Sequence, residues 1–307
     1  MASPVKKDPN PAFPSKGKEK YLDTSNPRYF DISMKKAILY FVLAVALTAC
    51  QPSVTMHRVG SYNIRIITSE DTVERAWEAR QQVVAAVIRD SLALDIVGCQ
   101  EVSQAQEADM KNLLGDTYTL CSSGEYAGPV VLYRTARYTC LEQGVFYLNT
   151  DPTQAAIAWD AEYLRPSVWV RLQDKQSKQE LVFCATHLDL HPVSIREGAR
   201  VNSEWLHSIA AGSPCVLVGD MNCEKADTAH AVYNFFFSDA RELSQTEPQG
   251  PYETYFPNMV PGDAGAKRID FIYTDWVKVA SYRTYHETCG RTYLPSDHVP
   301  VVCEVEI

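Results

Sequence analysis

Polar residues with metal- and phosphate-handling chemistry recur in this chain at the ends of apolar runs. Gln100-Glu101 follows Val97-Gly98-Cys99, Thr186-His187-Leu188-Asp189 follows Leu181-Val182-Phe183-Cys184-Ala185, and Gly219-Asp220-Met221-Asn222 follows Cys215-Val216-Leu217-Val218. Asn63 precedes the series and Ser296-Asp297-His298 closes it. Short apolar runs read as buried strands, and α/β folds place their chemistry where such strands end. The set holds four carboxylates, two imidazoles and three carboxamides, and the chain has no CxxC pattern. Such donors suit a hard cation, Mg²⁺ or alternatively Mn²⁺, acting on a phosphate ester. The set reads as a phosphoesterase site.

The elements that must position these groups are legible in part. Val73 to Arg89 reads as a helix with Val73, Ala76, Trp77, Val84, Val87 and Ile88 on one buried face. Tyr118–Cys121, Pro129–Tyr133 and Tyr138–Tyr147 read as short antiparallel strands. Val168–Leu172 and Leu181–Ala185 flank the polar turn Asp174-Lys175-Gln176-Ser177-Lys178 and read as a hairpin. Ile195–Ile209 is a second helix, stopped near Gly212 and Pro214. Between the strands at Cys215–Val218 and Ile269–Tyr273 lies a loop-rich region with Pro248, Gly250, Pro251, Pro257 and Pro261, long enough to be functional. Strand-rich text with helices spread between supports two sheets in one domain, covered by helices.

The N-terminus is a different text. Residues 1–33 carry five prolines and almost no aliphatic residues, so they have little to bury and no fixed structure is expected there. Met34-Lys35-Lys36, an apolar run from Ala37 and the end Leu47-Thr48-Ala49-Cys50 form a charged, apolar and small-residue sequence like a secretory signal over residues 34–49. The 13 residues Ala37–Ala49 are too few to span a bilayer, which takes about 20. Leu-Thr-Ala-Cys resembles a bacterial lipobox, which implies lipidation at Cys50, a membrane anchor, and a mature protein exported to the cell envelope. Translation from Met34 would yield the same mature protein, making residues 1–33 an upstream misassignment or a dispensable extension. Residues 50–56 then form a short tether ahead of one domain, 57–307.

Residues 1–49 hold eight of the 29 Lys and Arg and four of the 38 Asp and Glu, so the remainder has net charge −13. That balance disfavours long nucleic acid, whose binders neutralise phosphates with Lys and Arg. Eight cysteines follow Cys50. Cys99, Cys184, Cys215 and Cys303 sit inside apolar runs, where cysteine acts as a small hydrophobe, so mostly free thiols are expected. Cys121 with Cys140 is the pair to test first for a disulfide.

In this order the motifs resemble the endonuclease/exonuclease/phosphatase superfamily over about residues 57–307. Ser61-Tyr62-Asn63-Ile64-Arg65 looks like the first-strand Asn motif, Gln100-Glu101-Val102 the metal-binding Glu motif, and Thr186-His187-Leu188-Asp189 the central His motif. Gly219-Asp220-Met221-Asn222 matches GDxN, Arg268-Ile269-Asp270-Phe271-Ile272-Tyr273 the late Asp strand, and Ser296-Asp297-His298-Val299-Pro300-Val301 the terminal SDHxPV. The resemblance implies a four-layer α/β sandwich, two packed mixed β-sheets flanked by helices, and a metal-dependent phosphoesterase, in all expectation a monomer. Closer similarity is to bacterial members sharing Trp77-Glu78-Ala79-Arg80 and Arg165-Pro166 with Trp169. One departure is Arg65-Ile66-Ile67-Thr68, where relatives often carry an acidic residue; this puts a second metal ligand from that strand in doubt.

Chemistry assigns roles. Glu101, buried after a strand, needs a cation and is the principal Mg²⁺ ligand, with Asn63 and Asp297 lending oxygen atoms. Asp220 and Asn222, two apart on an extended chain, point to one face; the carboxylate orients water while the amide donates to a phosphoryl oxygen. Asp270 holds the tautomer of His298, which serves as base or as charged clamp, and His187 donates to the scissile phosphate. Arg165 reads equally as an anion ligand or a salt-bridge partner, and His191 and His207 as surface residues.

The reading is a lipid-anchored Mg²⁺-dependent phosphoesterase acting on a small phosphate ester or phosphorylated headgroup. Alternatives are a secreted nuclease, a sphingomyelinase-like phospholipid phosphodiesterase, and a silent ligand-binding lipoprotein.

Overall fold

Two parallel strand pairs lie at the heart of the structure, a computed structural model that describes residues 55–307 apart from Thr72. The expectations for the extension, the signal segment and Cys50 lie outside the described residues. In the first sheet β1 (Met56–Asn63) runs parallel to β2 (Ile96–Val102). In the second, β7 (Glu180–His187) runs parallel to β8 (Cys215–Asp220). Antiparallel partners extend each pair. The first sheet adds β3 (Tyr118–Ser122), β4 (Gly128–Arg134), β11 (Lys278–Thr284) and β12 (Val301–Glu306), in the order β11-β12-β1-β2-β4-β3. The second adds β5 (Tyr138–Tyr147), β6 (Pro166–Asp174), β9 (Ser238–Asp239) and β10 (Asp270–Asp275), in the order β5-β6-β7-β8-β10-β9.

The sheets pack face to face because their central strands are apolar on both sides, as parallel strands covered on both faces must be. Val59, Ile96, Val131, Phe183, Ala185, Val216, Val218 and Val301 fill the space between them. Gly98 marks the closest approach, since a Cβ there would stand 2.5 Å from Val218 Cγ2 and 2.7 Å from the Ala185 Cβ. The outer face of the first sheet is covered by α1 (Trp77–Ala86, continued by a π-turn over Val87–Ser91) and α2 (Gln104–Leu114). The second is covered by α3 (Pro192–Ala210) and α4 (Thr228–Phe236). A single-turn α5 (Ala240–Leu243) precedes the long loop. The expected four-layer sandwich is therefore what the chain forms.

One expectation needs correction, and one is met. Val73 is 87% exposed and lies before α1, because the chain at Ala76 is extended (ψ 148°) and the helix starts only at Trp77. Arg80 joins Trp77, Val84 and Ala85 on the buried face of that helix. No disulfide forms among the described cysteines. Cys121 Sγ faces Gln143 Oε1 and Cys140 Sγ faces the Glu142 carbonyl, while Cys99, Cys184, Cys215 and Cys303 are buried in the core as expected.

Candidate active site

All four parallel strands end on the same side of the sandwich, and each delivers one polar group there. Asn63 ends β1, Glu101 lies at the end of β2, His187 ends β7 and Asp220 ends β8. Asp270 opens β10 directly opposite Asp220, and His298 lies just before β12. Glu101 is placed by a bulge between Cys99 and Val102 and takes a left-handed backbone (φ 61°). Strain of this kind costs about 1–3 kcal/mol and persists where the surroundings fix it.

The groups interlock. Asn63 Nδ2 donates to Glu101 Oε1 (2.9 Å) and Asp220 Oδ2 (3.0 Å), and lies 3.4 Å from His298 Nε2. Glu101 Oε2 accepts from the Ile66 N–H (2.8 Å). Asp220 Oδ2 stands 3.4 Å from His187 Nε2 and 3.5 Å from His298 Nε2. His298 Nδ1 is held by Asp270 Oδ2 at 2.8 Å. Burial would raise the pKa of Asp220, but His298 and His187 outweigh it and hold the carboxyl well below its usual range. Burial likewise opposes ionisation of Glu101, yet His187, His298 and the Asn63 hydrogen bond keep it low. For His298 burial favours the neutral ring, but Asp270 and Asp220 on either side hold its pKa well above the ordinary value.

Three of the expected site residues are engaged by protein neighbours. Asn63 Oδ1 accepts the Arg65 N–H (3.0 Å), which turns its amino group toward Glu101 and Asp220. The amino group bridges the two carboxylates as a donor. Asp297 pairs through Oδ2 with Arg65 Nη1 (2.6 Å) and accepts from Ser296 Oγ through Oδ1 (3.2 Å), so its charge is already met. Arg65 is in turn gripped by Asp71, to which its Nε and Nη2 donate, the nearest at 2.9 Å. Asn222 does not continue an extended strand. Its backbone is left-handed (φ 49°), its N–H donates to Asp220 Oδ1 (2.9 Å), and its Nδ2 donates to the Leu188 carbonyl (2.9 Å) and contacts His187 Nε2 (3.0 Å). That closed Asx turn fixes Asp220 and His187 against each other.

Glu101, His187 and Asp220 present ligand atoms within 4.8 Å of one another, as do Asp220, Asp270 and His298. The first group fits a divalent cation. Each Glu101 oxygen carries one hydrogen bond and keeps a lone pair.

Other residues complete the cleft. Arg80 is fully buried and donates to the carbonyls of Ile64 (2.7 Å), Arg65 (3.1 Å), Arg75 (2.6 Å) and Pro295 (3.0 Å), tying the segment after Asn63 to the segment before His298. Tyr255 lays its ring 4.9 Å from that of His298. Arg165 stands beside the His187 end of β7, since Pro166 opens β6 next to it; its Nε donates to Asp189 Oδ2 (3.4 Å), its guanidinium lies over the Tyr163 ring (4.9 Å), and among the described residues its terminal nitrogens make no hydrogen bond. Burial lowers the Arg165 pKa, opposed by Asp189, Asp220 and Glu101. Asp189 otherwise accepts from the Glu162 and Tyr163 N–H groups and pins the loop over the cleft. Tyr255 lies in the long loop with no local pattern to mark it, whereas Arg80 entered the sequence reading only as part of Trp77-Glu78-Ala79-Arg80. His191 and His207 are exposed, as expected.

Residues 60–298 match the model of the endonuclease/exonuclease/phosphatase family. The chain belongs to that family. Its members are hydrolases acting on phosphate esters. Among solved structures, a family member from Bacteroides vulgatus aligns with 27% identity and TM-score 0.76, over 82% of this chain and 99% of that one. The Bacteroides thetaiotaomicron mannosyl-6-phosphatase aligns with 26% identity and TM-score 0.74, over 81% and 99%. D. rerio TDP2, complexed with a single-strand DNA product, shares the fold at 18% identity and TM-score 0.61, over 82% and 99%. No curated protein matches the chain in sequence. Residues 34–51 match a prokaryotic membrane lipoprotein lipid attachment site. Among the described residues no helix is long and apolar enough to cross a membrane.

Proposed function

We propose that this family member is a Mg²⁺-dependent phosphomonoesterase anchored by lipid at Cys50 in the bacterial envelope, with Mn²⁺ able to substitute. The observation that carries the reading is the convergence of Glu101, His187, Asp220 and the Asp270–His298 pair at one end of the two sheets. A cation bound at Glu101 would neutralise charge on the phosphate and the departing oxygen. Asp220, kept ionised, orients water for in-line attack at phosphorus. His298, kept protonated between Asp270 and Asp220, acts as a charged clamp on the phosphate and not as the base. His187 and Asn222 close the opposite side, and the terminal nitrogens of Arg165 are available to a non-bridging oxygen. The mannosyl-6-phosphatase at 26% identity supports a phosphate monoester on a sugar as the kind of substrate. Net charge disfavours long nucleic acid.

The test is a screen of the purified protein with Mg²⁺ against sugar phosphates, other phosphomonoesters, phosphodiesters, phospholipids and single- and double-stranded DNA. Sugar phosphates should be the fastest, and EDTA should abolish turnover. A preference for DNA or phospholipid would overturn the monoesterase reading, and EDTA-resistant turnover would overturn the metal.

A further inference from the structure

The topology puts the cleft and Thr55, the first described residue, at opposite ends of the same strand. Asn63 closes β1 in the cleft, whereas Thr55, just before β1, accepts the N–H of Ile307 beyond the far end of β12. That far end carries a second feature. Between β10 and β11 the chain crosses from one sheet to the other through Trp276-Val277, and Trp276 is 72% exposed with a left-handed backbone (φ 58°). A bulky aromatic is costly in such a turn, where Gly or Asn would fit without strain. Phe235, 83% exposed, lies toward the same end, three residues before Ser238, which pairs with Thr274 two residues ahead of Trp276. Trp276 shares a shallow groove with Gln179 and the terminal Ile307. Lys175 and Lys178 are exposed on the turn between β6 and β7, and Lys278, which opens β11, pairs with Glu306 (3.4 Å) in that groove beside Glu180. An exposed tryptophan is a side chain that settles at a lipid headgroup layer.

Exposed apolar residues also occur near the cleft, among them Ile67, Val73 and Leu190, and a cleft facing the bilayer would use them. Tether length decides between the two orientations. Five peptide links join Cys50 to Thr55, a reach of at most about 18 Å in any conformation. From Thr55 to Asn63 is eight residues of strand, about 26 Å. Lipid-anchored at Cys50, the domain cannot turn over to present its cleft to that membrane.

We propose that the end bearing Thr55, Trp276 and Lys278 seats on the lipid surface that holds Cys50, so that the cleft opens away from the membrane onto water-soluble phosphate esters. This rests on the lipid-anchored phosphoesterase reading and sharpens its substrate class: phosphorylated headgroups of the anchoring leaflet are out of reach.

The test uses the mature protein purified from a bacterial host and reconstituted in vesicles of phosphatidylethanolamine, phosphatidylglycerol and phosphatidic acid, the last a phosphomonoester, with and without brominated acyl chains. Mass spectrometry first reads lipidation. In wild type, bromolipid should quench part of the tryptophan emission, and Trp276→Phe should remove most of that quenching with turnover of a soluble phosphomonoester within twofold of wild type. Vesicle-bound and detergent-solubilised protein should hydrolyse that ester at equal rates and release no phosphate from vesicle lipid. Quenching unchanged in Trp276→Phe, no quenching in wild type, or release of phosphate from vesicle lipid would each overturn the orientation. So would dimers in detergent lost in Trp276→Ser, which would assign the face to a second copy. An unlipidated mature protein would overturn the anchor and this orientation together. A lipidated protein inactive on every ester would overturn the enzyme reading while the quenching still reports the orientation.

Discussion

The two ends of the sandwich are built on opposite principles. At the cleft, half-buried Glu101 and the buried Asp220, Asp270 and His298 crowd titratable groups together. At the tether end, charges are met pairwise. Arg137 spans Asp95 (2.5 Å) and Asp174 (2.8 Å), and Arg58 meets Glu304 (3.0 Å) in the open. One buried titratable group breaks that pattern: His57, whose Nδ1 lies 2.6 Å from Tyr138 Oη, and whose pKa burial and Arg137 push down to about 4. The lesson is that the cleft holds unmet charge that a cation and a phosphate can use, while the other end has satisfied its own.

The sharpest break is expected in the cleft. Glu101→Gln should lower kcat/KM by several orders of magnitude and recover in part at high Mg²⁺, because the damage lies in metal affinity. Asp220→Asn should fall as far and not recover, since an amide does not orient water as a carboxylate does. A Mg²⁺ titration of both variants checks this, and equal recovery would dissolve the division of labour.

Next is Arg80→Leu, which strands the carbonyls of Ile64, Arg65 and Pro295 without their donor. A loss of about 3 kcal/mol in urea unfolding is expected, together with reduced turnover because Asn63 and His298 lose their shared brace. A stable variant with normal kinetics would mean that the cleft is held by its charge network alone.

At the tether end the expected effects are smaller and tied to pH. His57 has a folded pKa near 4 against about 6.5 unfolded, so its contribution is present above pH 6.5 and is lost as pH falls toward 4. The full effect is at most about 3 kcal/mol. Stability curves of wild type and His57→Gln should therefore converge as pH is lowered through that window; parallel curves would show that His57 does not titrate there. Smallest of all, Arg58→Ala should change stability by less than about 1 kcal/mol, since both partners are well exposed.

Much of the fold was readable because buried strands announce themselves locally. The runs before Glu101, His187 and Asp220 became β2, β7 and β8, and Pro192 opening α3 with Gly212 after it bracketed the helix expected from Ile195 to Ile209. Other signals were present but not read. Ser103 and Gln106 form a capping box that starts α2, and Asp227 caps α4. Helical periodicity overran at Val73 because apolar spacing does not say where a helix begins.

The sequence by itself determined which residues could do chemistry and that each would emerge at a strand end, because residue type and strand hydrophobicity are local properties. Partner choice was decided only by the tertiary structure. Asn63 turned its amide nitrogen, not its oxygen, to the carboxylates because Arg65 N–H claimed the oxygen. Asp297 went to Arg65 across 232 residues of sequence, and Asn222 folded back on Asp220. Hydrogen bonds are directional and exclusive, so which of several competent donors meets which acceptor depends on where the whole chain places them. Which end of β1 meets the cleft and which meets the tether followed from the same source, the parallel pairing of β1 with β2 and of β7 with β8 inside two packed sheets.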